Sequence, residues 1–157
     1  MVTTIRMISI ISTITLAKPI ANDYNAYKPS EGQALKCSSG GDGNKDAVFR
    51  FTQGKLSVYP NPTIASSWDA NWSNWGNVDC TKYEVSTPMI QAPAECQAVK
   101  CSSGGNGNND SVYRFTNKQI RWYPNPTIAT SYDPTWGSFM TIDCTNIVLG
   151  SDMPPKA

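Results

Sequence analysis

Two clusters of aromatic and acidic residues are the part of this sequence best suited to bind a ligand. Trp68 and Asp69 lie in the segment SSWDANWSNWG, and Tyr132 and Asp133 lie in the related segment TSYDPTWGSF. An aromatic ring can stack on a sugar, and a carboxylate can accept hydrogen bonds from sugar hydroxyl groups. These four residues therefore predict glycan contacts, unless the aromatic side chains fill a small core or an interface. The further rings that could stack on a sugar are Trp72, Trp75 and Trp136.

Alternating oxygen-bearing side chains in two glycine-rich loops form a second set of candidate ligands. Oxygen atoms at every other position can wrap a calcium ion, although the distal glutamate of a full calcium loop is missing. Asn, Asp and Gly also dominate ordinary turns, so a plain loop is the competing interpretation. We expect no cofactor, and calcium is the one ion that these loops could bind. The candidate ligands are Asp42, Asn44 and Asp46 in the first loop and Asn106, Asn108 and Asp110 in the second.

Four of the cysteines form two pairs with the same spacing. Cys37 and Cys80 are 43 residues apart, and so are Cys101 and Cys144. A disulfide that closes a loop of this length stabilises a small domain by about 4 kcal/mol on the chain-entropy account. We therefore predict the disulfides Cys37–Cys80 and Cys101–Cys144. Because such bonds persist in oxidising compartments, we expect an extracellular or cell-surface protein.

The fifth cysteine, Cys96, has no equivalent in the other half of the chain, where Gly32 occupies the aligned position. We expect a buried, unpaired thiol that packs as a small hydrophobic side chain. The alternative is an intermolecular disulfide. The repeat itself does not need a cysteine at this position, because the first repeat has glycine there.

The composition argues against an enzyme and against nucleic-acid binding. Thirteen basic and twelve acidic residues give a net charge of +1, without a basic run that could follow a phosphate backbone. The sequence contains no histidine, the commonest general base. Asp79 and Asp143 each precede a paired cysteine, a position typical of a turn or strand end. We predict no catalytic residue and no membrane span; a glycosidase using two of the aspartates is the weakest alternative.

Two sequons, NWS at Asn71 and NDS at Asn109, make these residues candidate N-glycosylation sites. They do not occupy aligned positions in the two halves of the chain. The asparagines of the two YPNPT segments are not sequons, because proline follows them directly.

The chain contains a tandem duplication. Residues 37–81 align without a gap with residues 101–145, and 25 of the 45 aligned positions are identical. Repetition of a small unit is more typical of an architectural or binding protein than of an enzyme. We predict an N-terminal segment over residues 1–28, a first repeat over 29–89, a linker over 90–92 and a second repeat with its C-terminal tail over 93–157.

Each repeat has the pattern of a β-hairpin followed by a helical turn. In the first repeat, runs of β-branched and aromatic residues at 47–52 and 56–59 flank a Gln-Gly turn. Aromatic and polar residues alternate in the first run, which predicts a sheet with one buried face. Short strands around Leu35 and Val78 would complete the sheet. Asn61 with the following proline predicts one helical turn. The predicted fold is all-β, with two small disulfide-linked modules in tandem.

The N-terminal segment has the alternation of a long β-strand. A strand over residues 8–16 spans roughly 30 Å, which is enough to cross one module. It could pair with an open sheet edge of a neighbouring subunit, and such a head-to-tail contact produces a filament. The alternatives are a strand that folds back on its own module and a signal peptide, although serines and threonines interrupt the apolar centre. The apolar face of the strand consists of Ile8, Ile10, Ile14 and Leu16.

In this organisation the chain resembles the subunits of surface fibres that polymerise by strand donation, such as chaperone-usher pili. The shared segments CSSGG, YPNPTIA and DC also resemble uncharacterised extracellular repeat modules with no assigned activity. We therefore expect a structural subunit of an extracellular fibre that binds copies of itself through its N-terminal strand. The alternative is a secreted carbohydrate-binding protein whose partners are glycans.

Overall fold

The computed structural model describes residues 27–156, which contain both repeats. The predicted donor strand, with Ile8, Ile10, Ile14 and Leu16, lies outside this range, so its donation stays a prediction. The described residues form two β-sheets and a few short helices, which confirms the predicted all-β class. No helix within residues 27–156 is both long and apolar enough to cross a membrane.

The same succession of elements occurs in both repeats. A strand is followed by a hairpin, a short α-helix and a strand that ends near the second cysteine. The first repeat contains β1 Ala34–Ser39, β2 Val48–Thr52, β3 Lys55–Val58, α1 Pro62–Trp68, β4 Gly76–Asp79 and a 3₁₀ helix at Cys80–Lys82. The second repeat contains β5 Ala98–Gly104, β6 Val112–Thr116, β7 Gln119–Trp122, α2 Pro126–Tyr132, β8 Met140–Cys144 and β9 Val148–Leu149.

Each repeat builds one sheet with a common strand order. The first sheet has the order β3-β2-β1-β4. Read in the same direction, the second sheet has the order β9-β7-β6-β5-β8, so it repeats the first order and adds β9 at one edge. The hairpins are antiparallel, whereas β4 lies parallel to β1 and β8 lies parallel to β5. Parallel neighbours need a crossover connection, which here includes the short helix. Both predicted disulfides are present: Cys37–Cys80 joins β1 to the 3₁₀ helix that follows β4, and Cys101–Cys144 joins β5 to β8.

The two predicted hairpin turns are confirmed. Gln53 and Gly54 have φ angles of 52° and 78°, and Asn117 and Lys118 have φ angles of 51° and 61°. Positive φ at both central residues gives a turn whose twist matches that of the flanking strands. The second turn adopts this conformation without glycine, so the paired strands determine its geometry.

The helices are longer than the single turn predicted from the sequence. The side chain of Asn61 caps α1 by accepting a hydrogen bond from the backbone N–H of Ile64 at 2.9 Å. Pro62 follows in the first helical position, as predicted. Trp68, the last residue of α1, is buried. Packing of this side chain supplies the reason for the extra turn, since local propensity alone gives short helices little stability.

One hydrophobic cluster extends from the first repeat into the second. The indole of Trp68 meets the ring of Phe115 edge to face, with ring centroids 5.7 Å apart. Its Nε1–H donates a hydrogen bond to the backbone carbonyl of Ile90, in the predicted linker, at 2.7 Å. Tyr59 of the first repeat and Ile120 of the second belong to the same cluster. The two repeats therefore share part of their hydrophobic core.

The prediction of a sheet with one buried face is wrong for β2, which is buried along its whole length. Arg50 and Thr52, on the face opposite to the phenylalanines, are 4% and 2% exposed. The guanidinium of Arg50 lies 5.1 Å from the ring centroid of Trp68, so the end of α1 covers this face. The aligned residues Arg114 and Thr116 are only half-buried. Contact between the repeats, which strand periodicity does not reveal, accounts for this difference.

Candidate functional site

Both repeats carry a cleft between the glycine-rich loop, the hairpin and the start of the helix. Every residue that lines the cleft of the first repeat is matched, 64 positions later, by a residue that lines the cleft of the second. The matched residues are identical except for Ala47 against Ser111 and Val58 against Trp122. The cavity volumes are about 330 Å³ and about 230 Å³. The smaller cleft is the one in which an indole replaces an isopropyl group.

A tryptophan at the same position forms part of the wall of each cleft. The Nε1–H of Trp72 donates to Ser66 Oγ at 3.1 Å, and the Nε1–H of Trp136 donates to Thr130 Oγ1 at the same distance. In each case the acceptor belongs to the neighbouring helix. Both indoles are half-buried. A ring that is already fixed in place loses little conformational entropy when a ligand packs against it.

The glycine-rich loop provides the polar wall. In the first cleft it contributes Asn44 and Asp46. The carboxylate of Asp46 accepts no hydrogen bond from other residues in the described part of the chain, so it is available to a ligand. The aligned Asp110 lies 3.2 Å from the ammonium of Lys100. Each cleft therefore offers an aromatic surface and a carboxylate.

Turn geometry accounts for the alternating oxygens of this loop. Asp42 Oδ1 accepts a hydrogen bond from the backbone N–H of Asn44 at 2.9 Å, and Asn44 Oδ1 accepts one from the N–H of Asp46 at 3.0 Å. Asn106 and Asn108 make the same bonds in the second loop. Within residues 27–156 no three His, Cys, Asp or Glu side chains cluster as metal ligands. Calcium binding at these loops stays a prediction.

The four residues first predicted as sugar contacts line neither cleft. Trp68 is only 1% exposed, so its predicted stacking on a sugar is wrong, and the alternative that it fills the core is right. Asp69 Oδ1 accepts a hydrogen bond from the backbone N–H of Asn71 at 2.9 Å, and Asp133 Oδ1 accepts one from the N–H of Thr135 at 2.8 Å. Both carboxylates thus close the turn that follows the helix.

Tyr132 is half-buried and lines a separate hollow that also includes Asp133 and Cys96. The guanidinium of Arg114 lies 5.7 Å from the centroid of its ring. A signal in the sequence does separate Trp72 from Trp68: Trp72 aligns with Trp136, whereas Trp68 aligns with a tyrosine. Identity between the two copies would have been the better guide to the tryptophan that both clefts share.

Cys96 is exposed and unpaired, so the predicted burial of its thiol is wrong. Its backbone has a φ of +69°, close to the +80° of the aligned Gly32. The turn before the strand demands this left-handed conformation in both repeats, and it leaves the side chain of Cys96 outside the core. An intermolecular disulfide through Cys96 stays a prediction.

Asn71 and Asn109, the two candidate N-glycosylation sites, are both exposed. Asn71 lies in the turn after α1, and Asn109 lies in the glycine-rich loop of the second repeat. Their side chains are accessible to a modifying enzyme, and attachment of a glycan stays a prediction.

Asp79 makes a structural rather than a catalytic set of contacts. Its Oδ1 accepts hydrogen bonds from Ser39 Oγ at 2.6 Å and from the backbone N–H and the hydroxyl of Thr81. These hydrogen bonds, that of Ser39 first, lower the pKa of the Asp79 carboxyl to about 2. The carboxylate therefore joins β1 to the 3₁₀ helix beside the disulfide.

Protonation of Asp79 at low pH should lower the stability of the fold. Because the pKa is lower in the folded chain than the value of about 3.9 in an unfolded chain, its contribution is present near neutral pH and is lost as the pH falls towards 2. We expect the urea midpoint of the wild type to fall between about pH 5 and pH 2 more than that of Asp79→Asn. Asp152→Asn, whose carboxylate accepts no hydrogen bond within the described residues, is the control. Parallel curves for the wild type and Asp79→Asn would contradict the assignment.

The clefts are thus a duplicated pair of concave sites, and their geometry suits a small ligand with apolar and hydroxyl-bearing faces. Their walls contain no lysine, arginine, histidine or cysteine. Comparison of the chain with family models, with curated proteins and with solved structures gives no match.

Proposed function

We propose that this chain is an extracellular, non-enzymatic protein that binds neutral glycans through its two equivalent clefts. The observation that carries the proposal is the duplicated cleft, in which a fixed tryptophan faces a loop with a carboxylate and an amide. Ligand sites commonly combine an aromatic or apolar surface with a few polar groups that fix orientation. The two disulfides support a secreted location, because they indicate an oxidising environment.

The preserved lining supports a binding role. Many aligned positions differ between the repeats, yet the clefts differ at only two. Helix capping explains why Asn61 and Pro62 recur as Asn125 and Pro126. It does not explain a half-buried indole that is held by a hydrogen bond in both copies. A ligand that stacks on this ring supplies a reason for its retention.

The charge of the clefts favours neutral over acidic sugars. Asp46 provides an unpaired negative charge in the polar wall of the first cleft, whereas the carboxylate of Asp110 in the second is paired with Lys100, and none of the described residues lining the clefts is basic. A carboxylate can accept hydrogen bonds from hydroxyl groups, but it repels the carboxylate of an acidic sugar. Two such sites on one chain suit a repeating polymer, since the second contact forms at a high effective concentration.

The proposal predicts that both tryptophans contribute to binding. The wild type should be retained by insoluble neutral polysaccharides such as chitin, cellulose or mannan in a pull-down assay. Trp72→Ala and Trp136→Ala should each weaken binding about tenfold, and the double variant should lose retention, because each removes from one cleft the indole that is held by a hydrogen bond to the helix. Dissociation constants for soluble fragments of the retained polymer, measured by calorimetry, check this result.

Phe139→Ala is the matched control, because Phe139 is an aromatic residue, 38% exposed, that lines neither cleft. Trp72→Phe and Trp136→Phe keep a ring in place and should retain most of the affinity. Far-UV circular dichroism establishes that each variant is folded. Retention of the double alanine variant, or no binding by the wild type to any neutral glycan on an array, would refute the proposed function.

The fibre role predicted from the sequence rests on residues 8–16, which lie outside the described residues. Glycan binding and assembly do not exclude each other, because the clefts belong to residues 44–136. The donated strand therefore stays a separate prediction.

A further inference from the structure

The two clefts differ most in size at one position of the hairpin. Val58 lines the first cleft, and the aligned residue in the second cleft is Trp122. Both side chains are half-buried. The cavity volume falls from about 330 Å³ in the first cleft to about 230 Å³ in the second. The first cleft therefore has room for a bulkier ligand group, whereas the second has an additional indole in its wall.

The carboxylates of the two clefts have different partners. In the second repeat, Lys100 Nζ lies 3.2 Å from Asp110 Oδ1. The aligned Lys36 of the first repeat lies instead over the ring of Trp75, with Nζ 4.4 Å from the ring centroid. Asp46 forms no ion pair within the part of the chain that the structure describes. The carboxylate that is free to accept hydrogen bonds from a ligand is thus in the larger cleft.

The loop of the second cleft is held by hydrogen bonds that the first loop lacks. Asn106 Nδ2 donates to Ser111 Oγ at 3.2 Å, and Tyr113 Oη donates to Asn106 Oδ1 at 2.6 Å. In the first repeat, Ala47 and Phe49 occupy the two hydroxyl-bearing positions. Neither side chain can form these bonds, so they do not tether the first loop. The second cleft is therefore less able to widen around a bulky ligand.

We propose that the two clefts prefer different sugar units: the first prefers a 2-acetamido sugar, such as N-acetylglucosamine, and the second prefers a neutral sugar without this group. The proposal rests on the proposed function, because it assigns a sugar unit to each glycan cleft. In the first cleft, the carboxylate of Asp46 accepts a hydrogen bond from the acetamido N–H group. Val58 offers an apolar contact to the acetamido methyl group. In the second cleft, the indole of Trp122 occupies the space that this group requires.

The preferred glycan of the whole chain then contains both kinds of unit. A glycan of this kind places its preferred unit in each cleft at the same time, and the second contact forms at a high effective concentration. A polymer of one unit still occupies both clefts, with lower affinity in one of them. The residue at position 58 or 122 therefore sets the specificity of its cleft.

Variants that keep one cleft intact test the proposal. Trp136→Ala keeps the first cleft, and Trp72→Ala keeps the second. Calorimetry measures the dissociation constants of both variants for two β-1,4-linked tetramers, one of N-acetylglucosamine and one of glucose. We expect Trp136→Ala to bind the acetamido tetramer about fivefold more tightly than the glucose tetramer, as one additional hydrogen bond provides. Trp72→Ala should show the opposite preference, because the smaller cleft excludes the acetamido group.

Exchange of the residues at positions 58 and 122 should exchange the preferences. Val58→Trp, added to Trp136→Ala, should remove the preference for the acetamido tetramer. Trp122→Val, added to Trp72→Ala, should improve binding of that tetramer about fivefold. Val85→Trp, added to Trp136→Ala, is the control, because Val85 is 39% exposed and lines neither cleft. It should bind like Trp136→Ala alone. Far-UV circular dichroism establishes that each variant is folded.

The outcomes separate this proposal from the proposed function. If the wild type binds neutral glycans but the two clefts show the same preference, the proposal is overturned and the proposed function stands. The same conclusion follows if the wild type binds neutral glycans and the first cleft binds no acetamido sugar. If the wild type binds no glycan at all, the proposed function fails and this proposal fails with it.

Discussion

Replacement of Trp68 by alanine should lower the free energy of unfolding by about 3–5 kcal/mol, the usual cost of truncating a buried aromatic side chain. The side chain is 1% exposed and packs on Phe115 of the second repeat. Its removal also takes away the hydrogen bond to the carbonyl of Ile90 and the ring that covers the guanidinium of Arg50. Because the side chain belongs to the core shared by both repeats, we expect the two repeats to lose stability together. Urea unfolding followed by far-UV circular dichroism measures the effect.

Tyr132→Ala is the matched control, since Tyr132 occupies the aligned position in the second repeat and is only half-buried. Measured in dilute protein, it should cost about 1 kcal/mol, near the centre of the distribution for single substitutions. Equal losses for the two variants would show that position in the repeat, rather than contact between repeats, determines the importance of the residue. A loss below about 1 kcal/mol for Trp68→Ala would contradict the shared core.

Local patterns predicted the local elements. The Gln-Gly and Asn-Lys turns, the alternating strands beside them and the Asn-Pro helix start all occur where the sequence places them. Each depends on interactions between near neighbours, such as the hydrogen bond of the Asn61 side chain to the N–H of Ile64. The disulfides were predictable too, because the equal spacing of the cysteines in two copies leaves one simple pairing.

Burial was less predictable, because it depends on contacts between residues that are far apart in the sequence. Arg50 alternates with phenylalanines in β2 and was expected on an exposed face, but Trp68 covers it. Cys96 was expected inside, but the turn that Gly32 makes in the first repeat places it outside. In both cases the side chain type is compatible with either environment. The packing of the repeats decides between them.

The candidate site shows the same division. The aromatic clusters include the segments after the two helices, which hold the cleft residues Trp72 and Trp136. Composition could not distinguish the tryptophan that fills the core from the one that lines a cleft. The loop residues Asn44 and Asp46 were recognised for their oxygens but were assigned to calcium. The fold of the sheet places this loop and the tryptophan beside the same cavity. The spacing of these residues in the sequence does not predict that they lie close together.

Removal of one disulfide should lower the free energy of unfolding by about 4 kcal/mol, because each closes a loop of 43 residues. This is a large part of the 5–15 kcal/mol that stabilises a typical domain. We expect Cys101→Ala/Cys144→Ala to be more damaging than Cys37→Ala/Cys80→Ala. Cys101 and Cys144 lie in the core shared by both repeats, so their removal also loses packing there. Urea unfolding of the two double variants, compared with the wild type, measures the difference.

Cys96→Gly is the control for the two disulfide variants, because it removes a cysteine without removing a disulfide. The residue is exposed and unpaired, and glycine adopts its φ of +69° without steric strain. The variant should therefore be as stable as the wild type or slightly more stable. If the two double variants lost equal amounts of stability, the second disulfide would contribute only by restricting the unfolded chain. A larger loss for Cys101→Ala/Cys144→Ala would show that the second repeat supplies the core on which the first depends, as the packing of Trp68 against Phe115 requires.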